Sequence, residues 1–226
     1  MSTYLLVNVL SIAIPLIASF DPRLNFYKHW KSIIAAIFLS MIPYVLWDIY
    51  FVNNGYWGFN NSHIGEFLLF GLPIEEILFF VTIPYACMFT HYTLVKLYSN
   101  LKLPRRITEY VTLGLLLFFG IVLLTNSDKA YTTWDMTYAL VILFAARLLN
   151  RKLLRTYYIT FMVMLLPFFL VNGVLTGTGI QEAVVWYNDD ENLSLRILSI
   201  PVEDIAYAFS LILLNLLLFQ RFAHSK

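Results

Sequence analysis

The sequence predicts an all-α integral membrane protein of seven transmembrane helices, and three observations predict it. The chain has 226 residues, 60% hydrophobic and only 13% charged, where a soluble domain carries about a quarter charged residues. Its apolar residues are gathered into long runs, and a helix needs roughly 20 mostly apolar residues to cross about 30 Å of hydrocarbon. Its basic residues segregate as seven crossings require.

The runs fall at about 4–20, 32–52, 73–98, 107–125, 130–148, 156–176 and 200–222. The first lacks a basic lead-in and is followed by Asp21-Pro22-Arg23 rather than a small-residue cleavage site, so it reads as a retained helix and not a signal peptide. The second ends around Trp47 and Asp48, and the third opens on Pro73-Ile74-Glu75-Glu76. The fifth is the weakest, because Thr132, Thr133 and Asp135 crowd its start. The sixth and seventh follow the second and third in pattern. Connections are short except 53–66 and 177–199.

One set of connections holds Arg23, Lys28 and Lys31, then Lys96, Lys102, Arg105 and Arg106, then Arg147, Arg151, Lys152 and Arg155, then Arg221 and Lys226. Of the 15 Lys and Arg, that leaves only Lys129 and Arg196 for the other side. Positive charge marks the cytoplasmic face, so the expected protein is a multi-pass cell-membrane protein with its N-terminus outside and its C-terminus in the cytoplasm. A net charge of +1 gives no reason to expect nucleic-acid binding. A single cysteine, Cys87, excludes an internal disulfide and a cysteine-rich metal site.

The chain also matches itself. At an offset of 124, Arg23 falls on Arg147, Lys28 on Lys152 and Pro43 on Pro167. After a four-residue insertion the offset becomes 128, and Pro73-Ile74-Glu75-Glu76-Ile77 falls on Pro201-Val202-Glu203-Asp204-Ile205. The expected organisation is a first three-helix repeat at 1–98, a linker helix at 99–127 and a second three-helix repeat at 128–226. The odd linker crossing makes the repeats parallel, related by an axis along the membrane normal. Both acidic motifs then lie at one depth, near the outer ends of the third and seventh helices.

Paired carboxylates in an apolar setting are costly and should face a protein cavity. Acids at a helix start are also favoured by the macrodipole, which would account for one per helix but less readily for two after the same proline. Pro73 and Pro201 suit the first helical turn, where a missing N–H costs nothing. Asp48 and its repeat partner Asn172 fall at the same level, whereas Asp135 and Asn8 read as interfacial residues. Phe79 and Phe80, and in the second motif Tyr207 and Phe209, stand one turn beyond the acids, within helical contact range. A neutral carboxylic acid can protonate an alkene, and aromatic faces can stabilise the resulting cation. Burial and a neighbouring carboxylate favour the neutral form that such a donor needs.

Gly71-Leu72-Pro73-Ile74-Glu75-Glu76-Ile77-Leu78-Phe79-Phe80 resembles the motif of the small membrane lycopene cyclases, the heterodimer-type carotenoid cyclases that also occur as one fused chain. Trp47-Asp48 and Tyr56-Trp57-Gly58-Phe59 resemble the family's other first-half signatures. Val185-Trp186-Tyr187, Arg196-Ile197 and Pro201-Val202-Glu203-Asp204-Ile205-Ala206-Tyr207 resemble its second half. The resemblance covers nearly the whole chain. It implies cyclisation of the open ends of lycopene, or a related acyclic carotenoid, into ionone rings without net redox change. β rings are expected, with ε rings the other product class. On this resemblance Glu75, Glu76, Glu203, Asp204 and Asp48 form the acid–base set. Phe79, Phe80, Tyr207, Phe209, Trp47, Trp186 and Asn172 line the substrate. No cofactor or metal is expected, and no G-x-G-x-x-G fingerprint is present. Other carotenoid-pathway enzymes are expected partners in the bilayer. With both motifs at one depth, a single composite site is expected.

A small transporter with three, one and three helices has the same topology and is the alternative. It would need a polar pathway, and the sequence offers no polar stripe. A retinal protein would need a lysine in the seventh helix, which is absent there. Asn188-Asp189-Asp190-Glu191-Asn192 reads as a solvated loop rather than a diphosphate site, and His63 and His91 are too far apart to suggest a metal.

Overall fold

The computed structural model describes residues 2–223; Lys226, assigned above to the inner side, lies outside them. Seven α-helices are formed: α1 Thr3–Ala18, α2 Trp30–Asn53, α3 Ile74–Leu97, α4 Arg105–Thr125, α5 Ala130–Leu149, α6 Arg151–Leu175 and α7 Glu203–Ala223. Six of these, α2 to α7, are long and apolar enough to cross a membrane. α1 is apolar but has 16 residues, about 24 Å at 1.5 Å per residue. The outward faces carry residues such as Ile14, Ile17 and Leu124, which are 74–81% exposed. Such a surface suits lipid and not water. The chain is a multi-pass membrane protein.

α5 forms despite its polar start, because its hydroxyls are used. Thr132 Oγ1 donates to Glu203 and Thr137 Oγ1 to the Thr133 carbonyl. Tyr131, Asp135, Met136, Ala139, Ile142, Leu143 and Ala146 then bury one continuous helical face. Pro15, Pro43, Pro84 and Pro167 sit inside helices, as membrane helices tolerate when neighbours shield the freed carbonyls. α1 packs on α3 and α5 on α7, while α2 lies against α7 and α6 against α3. The last two contacts join the first three helices to the last three.

The connections divide by end. At one end, Lys96 Nζ donates to the Leu24 carbonyl at 2.6 Å and Arg155 Nε to the Leu103 carbonyl at 2.9 Å. Arg147 pairs with Glu109 at that end. At the other end Lys129 Nζ donates to the Asn192 carbonyl at 2.7 Å, and Arg196 pairs with Asp189 at 2.5 Å. The basic segregation read from the sequence is therefore a segregation between the ends of the bundle.

The long connections are not plain loops. β1 Trp57–Phe59 pairs antiparallel with β4 Val185–Tyr187, with Gly58 opposite Trp186. The two strands thus lie at the 128-residue offset of the acidic motifs, and Gly58 and Trp186 are the paired residues at that spacing. β2 Leu68–Leu69 and β3 Leu72–Pro73 form a hairpin, as do β5 Arg196–Ile197 and β6 Ile200–Pro201. Each turn uses positive φ, at Phe70 and Gly71 (53° and 87°) and at Leu198 (59°). The two prolines therefore close hairpins instead of entering the helices: Pro73 is extended, at φ −64° and ψ 147°. Beyond them Ile74 N bonds the Phe67 carbonyl at 3.1 Å, and Val202 N bonds the Leu195 carbonyl at 3.0 Å. The hairpin captures the proline because an extended backbone satisfies these donors before the helix begins.

Candidate active site

The four motif acids occupy the first turns of α3 and α7, and all four are buried. Consecutive residues on a helix diverge by about 100°, so the two acids of each pair meet different surroundings. Glu75 Oε1 accepts from Ser2 Oγ at 2.5 Å and from Gly65 N at 2.8 Å. Glu203 Oε1 accepts from Thr132 Oγ1 and from Leu193 N, both at 2.7 Å. In each case a hydroxyl from a neighbouring helix start and an amide ten residues upstream converge on one oxygen. The first acid of each pair ties the long connection down to the helix.

The second acids turn inward. Glu76 Oε2 accepts from the Tyr4 phenol at 2.5 Å. Asp204 accepts three bonds: Tyr131 OH to Oδ1 at 2.6 Å, and Tyr187 OH and Asn172 Nδ2 to Oδ2, each at 3.0 Å. Glu76, Asp204 and Asp48 line one cavity of about 90 Å³, together with Tyr4, Phe79, Tyr131, Tyr187 and Tyr207. Among the described residues no lysine or arginine lines it. Asp48 lies within electrostatic reach of Glu76 and beside the Tyr207 phenol, and its Oδ2 has no hydrogen-bond partner among the described residues. The strand pair supplies Trp57, Val185 and Tyr187 to the cavity wall. Outside the spans, the Tyr187 phenol is pushed well above its ordinary pKa, by burial and then by the Asp204 carboxylate beside it. It therefore serves as a donor.

Of the aromatic residues expected to line substrate, Phe79 and Tyr207 face this cavity, and Asn172 joins them. Phe80 is buried in the core near Tyr44. Trp47 is also buried, in tilted and edge-on ring contacts with Tyr138, Tyr207 and Phe51. Phe209 packs between Tyr157 and Phe161 and lines a separate groove on the α4–α5 side. Trp186 stands 46% exposed, with its indole laid across Gly58, where an added Cβ would come within 2.7 Å of the ring. Strand alternation turns its neighbours Val185 and Tyr187 inward and Trp186 outward.

Two residues read from sequence as interfacial are buried. Asn8 donates to the Glu75 carbonyl at 3.0 Å and accepts from Thr82 Oγ1 at 2.6 Å. Asp135 is fully buried, within electrostatic reach of Asp48, Glu203 and Asp204. Neither of its carboxyl oxygens has a partner among the described residues. Tyr4 and Tyr131 were not singled out from the sequence, and Tyr187 stood there only within the Val185-Trp186-Tyr187 signature, without a role. Among 15 tyrosines, position along a helix gave no sign that Tyr4 and Tyr131 would reach an acid.

No curated protein and no solved structure gives a match. The family described as lycopene cyclase matches residues 1–94 and 128–222, two segments that together span most of the chain and omit α4. All three cavity carboxyls fall within the matched segments. On this match the chain belongs to the lycopene cyclase family.

Proposed function

We propose that this enzyme cyclises the open end of lycopene, or of a closely related acyclic carotenoid, to a β-ionone ring by proton-initiated isomerisation. The observation that carries the reading is that Glu76, Asp204 and Asp48 line one cavity with Phe79 and Tyr207. Family membership supports a carotenoid substrate.

The hydrogen bonds suggest distinct roles. A carboxyl that accepts three donors is held as an acceptor, whereas one that accepts a single donor has room for a proton of its own. Glu76, with Asp48 beside it, gives its proton to the terminal double bond. The cation formed is attacked by the nearby internal alkene, which closes the ring and moves the charge onto it. Asp204 takes a ring proton and the double bond forms; return of that proton to Glu76 within the cavity they share restores both acids, and the atoms balance as an isomerisation. Phe79 and Tyr207 offer their ring faces to the cation, an interaction of roughly 2 kcal/mol when desolvated. Glu75 and Glu203 hold the connections and touch no reacting atom.

The 128-residue spacing of the acids, the hairpins and the paired strands supports two parallel three-helix repeats with α4 as linker. The positive-inside rule supports an outside N-terminus and a cytoplasmic C-terminus. A transporter of hydrophilic solutes fits poorly with the apolar lining around the acids.

The test is pigment chromatography of lycopene-accumulating bacteria expressing the chain or its variants at equal membrane levels. Cyclic carotenoid is expected from the parent and from Glu75→Gln, and at least a hundredfold less from Glu76→Gln and Asp204→Asn. Full activity in Asp204→Asn would remove it as the base. No ring from the folded parent would overturn the reading.

A further inference from the structure

The acid cavity is too small to hold a carotenoid, and it does not stand alone. A groove of about 540 Å³ runs between α1, α3, α6 and α7. It shares Phe79, Ile83, Phe168, Asn172, Ala208 and Ile212 with the acid cavity, so the two spaces adjoin across these side chains. Along α3 the groove extends from Phe79 to Thr90, about 16 Å at 1.5 Å per residue.

Its chemistry is that of a hydrocarbon site. Ser11 and Thr90 line it, but Ser11 Oγ donates to the Val7 carbonyl at 2.8 Å and Thr90 Oγ1 to the Ala86 carbonyl at 2.9 Å. Both hydroxyls are spent on their own helices and offer a ligand little. Leu10, Ile14 and Leu170 form part of its wall and are 64–75% exposed on the lipid-facing surface, so the groove opens sideways to the bilayer. The larger groove on the α4–α5 side, about 700 Å³, shares no lining residue with the acid cavity.

We propose that the groove between α1, α3, α6 and α7 binds the polyene chain of the substrate, which enters laterally from the membrane. The reacting end group lies between Glu76 and Asp204, and the chain runs along α3 past Ala86. A carotenoid about as long as the hydrocarbon layer is thick, about 30 Å, outreaches the groove, and its far half stays in lipid. A second ring then requires release and re-entry of the other end. This assignment rests on the cyclase reading for its ligand.

The test is the acyclic pigment that co-purifies with Glu76→Gln protein from lycopene-accumulating cells, measured per protein by absorbance. Adding Ala86→Trp, which fills the groove away from the acids, is expected to lower bound pigment at least fivefold. Met162→Trp, in the other groove, is expected to leave it unchanged. Should Ala86→Trp not accumulate, Ala86→Leu is read instead, with a smaller loss expected. In otherwise wild-type protein, Ala86→Trp is expected to stop cyclisation of the long polyene and to spare a short acyclic isoprenoid with the same end group. Undiminished pigment in both Ala86 variants, or its loss only with Met162→Trp, would overturn the groove. Absence of rings from either substrate in the parent would overturn the cyclase reading, while the pigment measurement would still decide the groove.

Discussion

The buried carboxyls of this protein differ most in what reaches them. Asp204 receives three donors and Glu76 one, whereas neither oxygen of Asp135 has a described partner. An unsatisfied buried polar group costs about 1–3 kcal/mol, and replacing it with an apolar group of similar shape removes that cost. Asp135→Leu is therefore expected to raise the melting temperature of the purified protein in detergent. A fall would mean that Asp135 is paired in the protein through water. The sequence read Asp135 as interfacial, whereas the structure buries it. Depth follows from distance to the helix end, whereas facing depends on which neighbours α5 packs against. Phe79 and Phe80 make the same point: both lie one turn beyond the acids, and only Phe79 looks into the cavity.

At the scale of elements, the first turns of α3 and α7 are clamped alike, by a hydroxyl and a loop amide on the first acid of each pair. The clamp needs an acceptor and not a charge, so Glu75→Gln is expected to keep folding and activity while Glu75→Leu loses both. Membrane level and ring formation measured together would separate these outcomes. Gly65 is part of the clamp, since a Cβ there would stand 2.9 Å from Glu75 Oε1. Gly65→Ala is expected to displace the carboxyl and lower the yield of folded protein severalfold, as read by its monodisperse fraction in size-exclusion chromatography. At the hairpin turn, Gly71 has φ 87°, and Gly71→Ala is expected to destabilise by about 1 kcal/mol. A smaller fall in melting temperature than in Gly65→Ala would check it. The hairpins themselves were illegible as strands, because two-residue strands in an apolar run carry no detectable alternation.

For the whole molecule, the site belongs to neither half alone: Glu76 and Asp48 come from the first three helices and Asp204 from the last three. Polypeptides 1–98 and 99–226, co-expressed, are expected to restore cyclisation that neither gives by itself. Cyclisation by either piece alone would show a complete site within one half. Reporter fusions should place the C-terminus in the cytoplasm, and an outside signal there would reverse the proposed orientation.

The sequence by itself determined the seven helices, the separation of basic residues between the ends, the paired acids at helix starts and the family resemblance. These are one-dimensional properties: apolar run length, charge between runs and motif spacing are written along the chain. Only the tertiary structure decided that Glu76 and Asp204, rather than Glu75 and Glu203, share a cavity. It also decided that Trp186 turns outward, that Asp135 is buried and that an apolar groove adjoins the acid cavity. Adjacent residues on a helix point about 100° apart, and which direction meets the other half of the protein is fixed by packing between α2 and α7 and between α3 and α6. That packing depends on contacts between residues distant in the chain, such as His91 with Thr160 and Tyr44 with Ser210.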